Sequence, residues 1–443
     1  MRRPRFRSLA GGAAGIAAGV IGGVVLTSAS TAGPTLPAAA PPLIDATHVP
    51  PVLTVPGEPI RLRYGLVCAP SADGLPCDGS GTVYLRAGET GPFRPYPLQR
   101  GDESKDGRYF LDVPAAVAES PDGFSYYAVL RDEATGATVA IPSGGEDAPQ
   151  ISRPLLDSVT IELGGHSFGE TRAPDGRAAE AHWGSGANEV GLAGSRELGF
   201  TGPSSFDVEP DGTVDVLDSM NGRIQRWSHG RHDTVPIGHT AELADLAAEP
   251  DGSFDVLDAE DTLRRYGADG SERWAQKLVD RTWAKLDRGA DVLEEPSEQW
   301  MPLAETAAPL TRAEQRRAAH TAHHALLVDR VGDGELRVAQ LRGNAPLRGW
   351  RITSETPLGE VQLAEPAGNG VVVVTHAYTD DYDDFVALVL DKHGLAQRFS
   401  VASDSRTETA PLARFRLARG ALYRLRTTPA GALVERFDLE VPQ

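Results

Sequence analysis

Four groupings in this 443-residue chain bring together residue types that can do chemistry. Gly165-His166-Ser167-Phe168-Gly169 has the Gly-x-Ser-x-Gly spacing that presents a serine nucleophile on a strand-to-helix turn. A strand-like Ser158-Val159-Thr160-Ile161-Glu162-Leu163 precedes it, but Ala173-Pro174-Asp175-Gly176 follows where a helix is required. No esterase is expected. His320, His323 and His324 stand at helical spacing, where imidazoles can share a metal. Arg316 and Arg317 disfavour a cation there, and a solvated helix face is expected. Asp380, Asp381, Asp383 and Asp384 lack the glycine that a calcium loop uses for its sharp turn, so an acidic hairpin tip is expected. Cys68 and Cys77 are the only cysteines, and in an oxidising compartment they are expected to form one disulfide pinning a loop.

The elements that must position these groups begin with an address. Arg2, Arg3, Arg5 and Arg7 precede an uncharged stretch from Leu9 to Leu26 and the small-residue run Thr27-Ser28-Ala29-Ser30-Thr31-Ala32. That order predicts a secretory signal peptide over 1–32, with an uncleaved anchor at 9–26 as the alternative. Residues 33–50 hold Pro34, Pro37, Pro41, Pro42 and Pro50; fixed φ and missing N–H groups predict an extended stalk. The formal charge is −19, which repels phosphate backbones and argues against nucleic-acid binding.

Residues 51–150 alternate short apolar runs with turns. Ile60-Arg61-Leu62-Arg63-Tyr64, Gly81-Thr82-Val83-Tyr84-Leu85 and Tyr109-Phe110-Leu111-Asp112-Val113 all show period two. Phe124–Leu130 and Ala137–Ile141 flank a turn with Gly136, a hairpin pattern. A small immunoglobulin-like β-sandwich is expected. Beyond it, Glu209-Pro210-Asp211-Gly212-Thr213-Val214-Asp215-Val216-Leu217-Asp218 repeats 40 residues later as Glu249-Pro250-Asp251-Gly252-Ser253-Phe254-Asp255-Val256-Leu257-Asp258. That period, with β-type content, is the blade length of a propeller. Each Pro-Asp-Gly supplies a tight turn into a central strand with Val and Leu buried between blades.

The run Trp183-Gly184-Ser185-Gly186, Pro203, Asp211-Gly212 and Asp218-x-x-Asn221-x-Arg223-Ile224-x-x-Trp227 resembles the NHL-repeat β-propeller proteins. The resemblance covers one blade well and a second in part, where Asp261 replaces the Asn and Leu263-Arg264 the Arg-Ile. It implies an all-β propeller over 157–443 with six or seven blades. A helical insertion at about 296–327 is expected from the capping box Thr311-Arg312-Ala313-Glu314. The resemblance also brings in enzymes, lactonases and amidating lyases, which hold a metal in the channel with carboxylate, Asn or His ligands from the inner strands of different blades. Such a set is not seen here, since the inner strand after Pro203 reads as Ser, Phe and Val. Asp218, Asn221 and Arg223 read as structural, as do Pro210, Asp211, Gly212, Pro250, Asp251, Gly252 and Asp258. The expectation is an exported, non-enzymatic binding or scaffold propeller at the cell envelope, with a protein or polysaccharide partner. No catalytic residue, cofactor or metal is assigned, calcium being the one cation kept open. The alternative is a metal-dependent lactonase or lyase.

Overall fold

The computed structural model describes residues 44–68, 79–100, 108–195, 197, 199–238, 240–258, 262–277, 282–287, 291–295, 299–302, 326–342 and 345–440. The signal-peptide segment, Cys77 and the triple-histidine stretch lie outside these residues, as does the side chain of Cys68. Within them the chain is nearly all β, and the only α-helical turn is Ala115–Ala118.

Two sheets form the N-terminal part. One runs in the order Ile44–His48, Arg61–Cys68, Arg108–Asp112, Gln99–Arg100. The other orders Leu53–Thr54, Gln150–Pro154, Phe124–Asp132, Gly79–Ala87, Arg94–Pro97, with Thr138–Ile141 also paired to Phe124–Asp132. Period two does what it must: Leu62, Tyr64 and Leu66 are buried against Val83, Leu85, Tyr126 and Ala128, while Arg61 and Arg63 face out. Ile44–His48, read above as the end of the stalk, is a paired strand instead, matched residue for residue to Tyr64–Cys68. Its Ala46 packs against the sandwich core, and prolines stand in the sequence on either side of the strand.

Among the described residues seven further sheets follow: a two-stranded pairing of Ala193–Ser195 with Gly199–Thr201, and six larger ones whose successive strands are antiparallel. Ser205–Val208, Val214–Asp218, Arg223–Ser228 and Arg231–Pro236 make one; Ala244–Ala248, Phe254–Asp258, Thr262–Tyr266 and Glu272–Lys277 make the next. Thr282–Asp287, Asp291–Glu295 and Gln299–Pro302 make a third. Part of the expected helical insertion is therefore strand: Gln299–Pro302 pairs with Asp291–Glu295, and Leu326–Arg330 opens the following sheet. The rest of that insertion lies outside the described residues. Each remaining sheet takes strands from two distant parts of the chain or one long run. Leu326–Arg330, Glu335–Arg342 and Ala345–Thr353 accept Ser158–Glu162 in parallel as outer strand. Leu358–Ala367, Gly370–Tyr378, Asp383–Asp391 and Gly394–Ala402 form a continuous meander. Phe415–Ala418, Ala421–Thr427 and Gly431–Asp438 accept Gly176–Trp183 antiparallel, with Glu189–Val190 beyond it.

The sheets stack face to face. One core joins the 326–353 sheet to the 358–402 sheet through Trp350, Ile352, Val371 and Leu388. Others join that sheet to the closing one (Phe385, Phe415, Phe437), and the closing sheet to the first repeat (Val434, Phe206, Val216). The series continues through Leu217, Leu246 and Phe254 to Leu286. This is the construction of a β-propeller. Sandwiching each sheet between neighbours buries both faces, so Val214–Asp218 and Phe254–Asp258 are buried at every position, Asp215, Asp218, Asp255 and Asp258 included. The expected burial of Val and Leu alone is thus corrected: the carboxylates go in too, and need partners. Arg226 takes Asp215 at 2.8 Å and Glu209 at 2.6 Å; Arg265 takes Asp255 at 2.6 Å in the second copy.

The sandwich meets the propeller on the other face of the 326–353 sheet, where Leu53 and Leu155 pack on Ala339 and Leu341. The buried Asp329 accepts the Leu53 amide at 2.9 Å, and Arg337 donates to the Leu53 carbonyl at 3.1 Å and to Glu58 at 2.6 Å.

Inside the sandwich, His48 Nδ1 lies 2.7 Å from the Arg63 carbonyl and Nε2 lies 2.8 Å from the Tyr126 hydroxyl. A carbonyl only accepts, so Nδ1 carries the proton and Nε2 accepts from the phenol. Burial lowers the imidazole pKa from 6.5 to about 4. Between those values the unfolded chain binds a proton that the folded chain does not, so stability falls as pH drops through the window. About 3 kcal/mol should be lost this way, and His48→Gln should remove that part of the loss. Urea midpoints at neutral pH and near the lower value measure it; equal losses in both proteins would show the group is not responsible.

Candidate functional site

The repeat motif folds into a clamp. Pro-Asp-Gly turns place glycine at φ 95° (Gly212) and 82° (Gly252), conformations that a side chain resists. Asp211 and Asp251 cap these turns by accepting the Thr213 and Ser253 amides, at 2.8 and 2.9 Å. The Thr213 amide holds the Asp211 carboxyl below its ordinary range, and at Asp251 the Ser253 hydroxyl, then its amide, does the same. Pro210 and Pro250 precede the turns, where fixed φ costs nothing.

Six residues after Gly212, Asp218 is almost wholly buried. Its Oδ1 accepts the Gly191 amide at 2.8 Å, and its Oδ2 accepts both Asn221 Nδ2 and Arg223 Nε at 2.8 Å. Asn221 also donates to the Gly184 carbonyl at 3.0 Å. Arg223 reaches the carbonyls of Ser185, Gly186 and Glu189 at 3.1, 2.8 and 2.6 Å. One blade thus grips the Trp183-Gly184-Ser185-Gly186 loop of its neighbour through backbone atoms. These contacts join one blade to the next. In the second copy Asp258 accepts the Thr262 amide at 3.0 Å, and Arg264 stands 3.7 Å away.

The innermost strands hold a second cluster that the sequence reading missed. Asp207 follows Phe206 on Ser205–Val208, and Asp245 lies on Ala244–Ala248. Asp207 Oδ2 accepts the Ala248 amide at 2.9 Å, and Asp245 Oδ2 accepts the Leu286 amide at 2.7 Å; each carboxylate bonds the next blade. Asp245 Oδ1 takes the Ser205 hydroxyl at 2.6 Å and Arg416 Nη2 at 3.1 Å. Arg416 comes from Phe415–Ala418 and also donates to the carbonyls of Phe206 and Leu246, at 3.0 and 2.9 Å. Carboxylates from two blades do converge, contrary to the inner-strand reading above, but a guanidinium from a third sits among them. The 40-residue offset held the clue, since Ser205 and Asp245 are equivalent positions and such positions meet around a ring.

The remaining candidates separate. Gly165-His166-Ser167-Phe168-Gly169 lies in the loop that crosses the 358–402 sheet between two outer strands, with no helix after it. His166 Nε2 pairs with Asp384 at 3.1 Å, both buried, and the Gly169 amide donates to the same oxygen at 2.9 Å. Ser167 is exposed. Asp380 and Asp381 form the expected acidic tip, but Asp383 and Asp384 already belong to the strand Asp383–Asp391. Among the described residues no group of three or more His, Cys, Asp and Glu is placed to hold a metal.

Asp218→Ala would leave the largely buried Arg223 without its carboxylate and the Gly191 amide without an acceptor, and should cost about 3–5 kcal/mol. Asp258→Ala, whose arginine stands farther off, should cost clearly less. Equilibrium unfolding of the two variants tests this, and equal losses would dissolve the clamp.

No protein-family model matches the sequence, and no curated protein does. Among solved structures the chain is similar to virginiamycin B lyase from Staphylococcus aureus, with 12% identity over 55% of this chain and 86% of that one, at a TM-score of 0.20. It is also similar to regucalcin, a calcium-binding protein from Agrobacterium tumefaciens, with 11% identity over 64% and 97% of the two chains and a TM-score of 0.31. The propeller assignment itself rests on the strand pairing and stacking described above.

Proposed function

We propose that this chain is an exported recognition module of the cell envelope, a six-bladed propeller joined to a small immunoglobulin-like sandwich and binding a protein or polysaccharide partner without turnover. The observation that carries this reading is the state of the innermost carboxylates. Asp207 and Asp245 are saturated by backbone amides, a serine hydroxyl and the Arg416 guanidinium. A catalytic cation needs free oxygen ligands, and here a fixed cation of the protein takes that position. With these two carboxylates taken, the loops at the blade ends offer surfaces that can meet a partner. The rival reading, a metal-dependent lactonase or lyase, draws on the same convergence of carboxylates on inner strands.

Dialysed protein should keep its Tm when Ca²⁺ or Zn²⁺ is added, because a cation that binds only the folded state must raise it. Arg416→Gln, which uncovers the two carboxylates, should lower stability by about 3–5 kcal/mol and should become stabilised by Ca²⁺. Metal-dependent stabilisation of the unaltered protein, together with lactone turnover, would replace recognition by catalysis.

A further inference from the structure

One end of the 358–402 sheet carries a set of side chains outside both the clamp and the inner-rim cluster. Arg414 stands immediately before the strand Phe415–Ala418. Its guanidinium lies 4.7 Å over the Phe385 ring. Unlike Arg416 two residues later, it makes no hydrogen bond or ion pair with any described residue, although burial is sufficient to lower its pKa. Glu360 and Asp383 are near enough to act on its charge, yet neither pairs with it. Asp383 is held by His376 Nε2 at 3.0 Å, and Glu360 accepts from Gln362 at 2.9 Å. Phe385 is buried beneath the guanidinium, and the accessible aromatic surface is His376, its ring 5.4 Å from Phe385 and stacked at 5.7 Å on the part-exposed Tyr378. It lies against Gly359, where any Cβ would come within 3.0 Å of Nδ1. His376, Asp383 and Glu360 are all reached by solvent.

These charges restrict the occupant. An anion would meet Glu360 and Asp383, and a cation would meet Arg414. A neutral group that both donates and accepts suits all three. Vicinal hydroxyls do so, receiving from the guanidinium and giving to the carboxylates, while the C–H face of a pyranose packs on an aromatic ring. We propose that Arg414, Glu360 and Asp383, beside the part-exposed rings of His376 and Tyr378, form a saccharide subsite. This rests on the recognition reading above and specifies its ligand as a neutral sugar. The partly buried, unpartnered arginine acquires a role on this view: its donors are directed at hydroxyl oxygens of a bound glycan.

The test is calorimetric titration of the full chain with cellotetraose, chitotetraose, xylotetraose and mannotetraose, and separately with inorganic phosphate. Arg414→Met and Glu360→Gln are titrated alongside, with Tm confirming that each is folded. At least one tetrasaccharide should bind, and each substitution should weaken it roughly tenfold, the loss of one charge-assisted hydrogen bond. Binding unchanged in both variants overturns the subsite while leaving saccharide recognition in place. Phosphate binding that vanishes with Arg414→Met makes it an anion site and overturns it. No saccharide binding by the unaltered chain also overturns it, whereas the recognition reading falls only to the metal and turnover measurements given above.

Discussion

A charged group buried between two sheets has no water to turn to, and that constraint organises this propeller. Stacking sheets on both faces is what gives the fold its cores, but it also encloses Asp207, Asp215, Asp218, Asp245 and Asp255. An unpaired carboxylate in such a place would cost several kcal/mol. Each of these finds partners, and for Asp207, Asp218 and Asp245 the partners lie across a blade boundary. The polar groups therefore set the register between blades, which apolar stacking alone leaves loosely specified. Apolar contact holds the sheets together; the carboxylates decide how they are aligned.

The same accounting separates the interior of the ring from its ends. Arg416, in the inner rim, bonds two carbonyls and a carboxylate from two other blades. Arg414, two residues earlier on the same segment, has only an aromatic ring beneath it. Two identical side chains so close together meet opposite circumstances because one projects among closed backbone groups and the other reaches the open end of a sheet. The difference between a structural and a binding arginine is here a difference in unsatisfied donors, with charge held constant.

Much of the fold was legible wherever the signal is local. The Phe124–Asp132 and Thr138–Ile141 hairpin follows from alternation about a glycine turn, and both Pro-Asp-Gly copies lead into the strands expected of them. The later strands at 335–342, 370–378, 383–391, 421–427 and 431–438 were readable as apolar runs, although no motif marked them as blades. Contacts between distant segments left no such trace. Arg416 and Asp245 are 171 residues apart, and nothing near either announces the other. The parallel pairing of Ser158–Glu162 with Ala345–Thr353 is equally silent, because a strand's partner is not written in its own composition. Asp215 escaped for another reason: an alternating pattern implies one wet face, and a strand stacked on both sides has none.

The two outer strands donated from the start of the propeller region have a bearing on how the molecule comes to exist. Ser158–Glu162 waits for residues 345–353, and Gly176–Trp183 waits for residues 431–438, both made far later than the strands they join. Until those partners are made, both early strands present unpaired edges, the feature most prone to joining a foreign chain. Between them lies Gly165–Gly176, rich in glycine and turn residues, which gives no length of strand for an intruder to extend. The strand Gly431–Asp438 thus acts as a fastener, joining its own sheet to a strand made long before it.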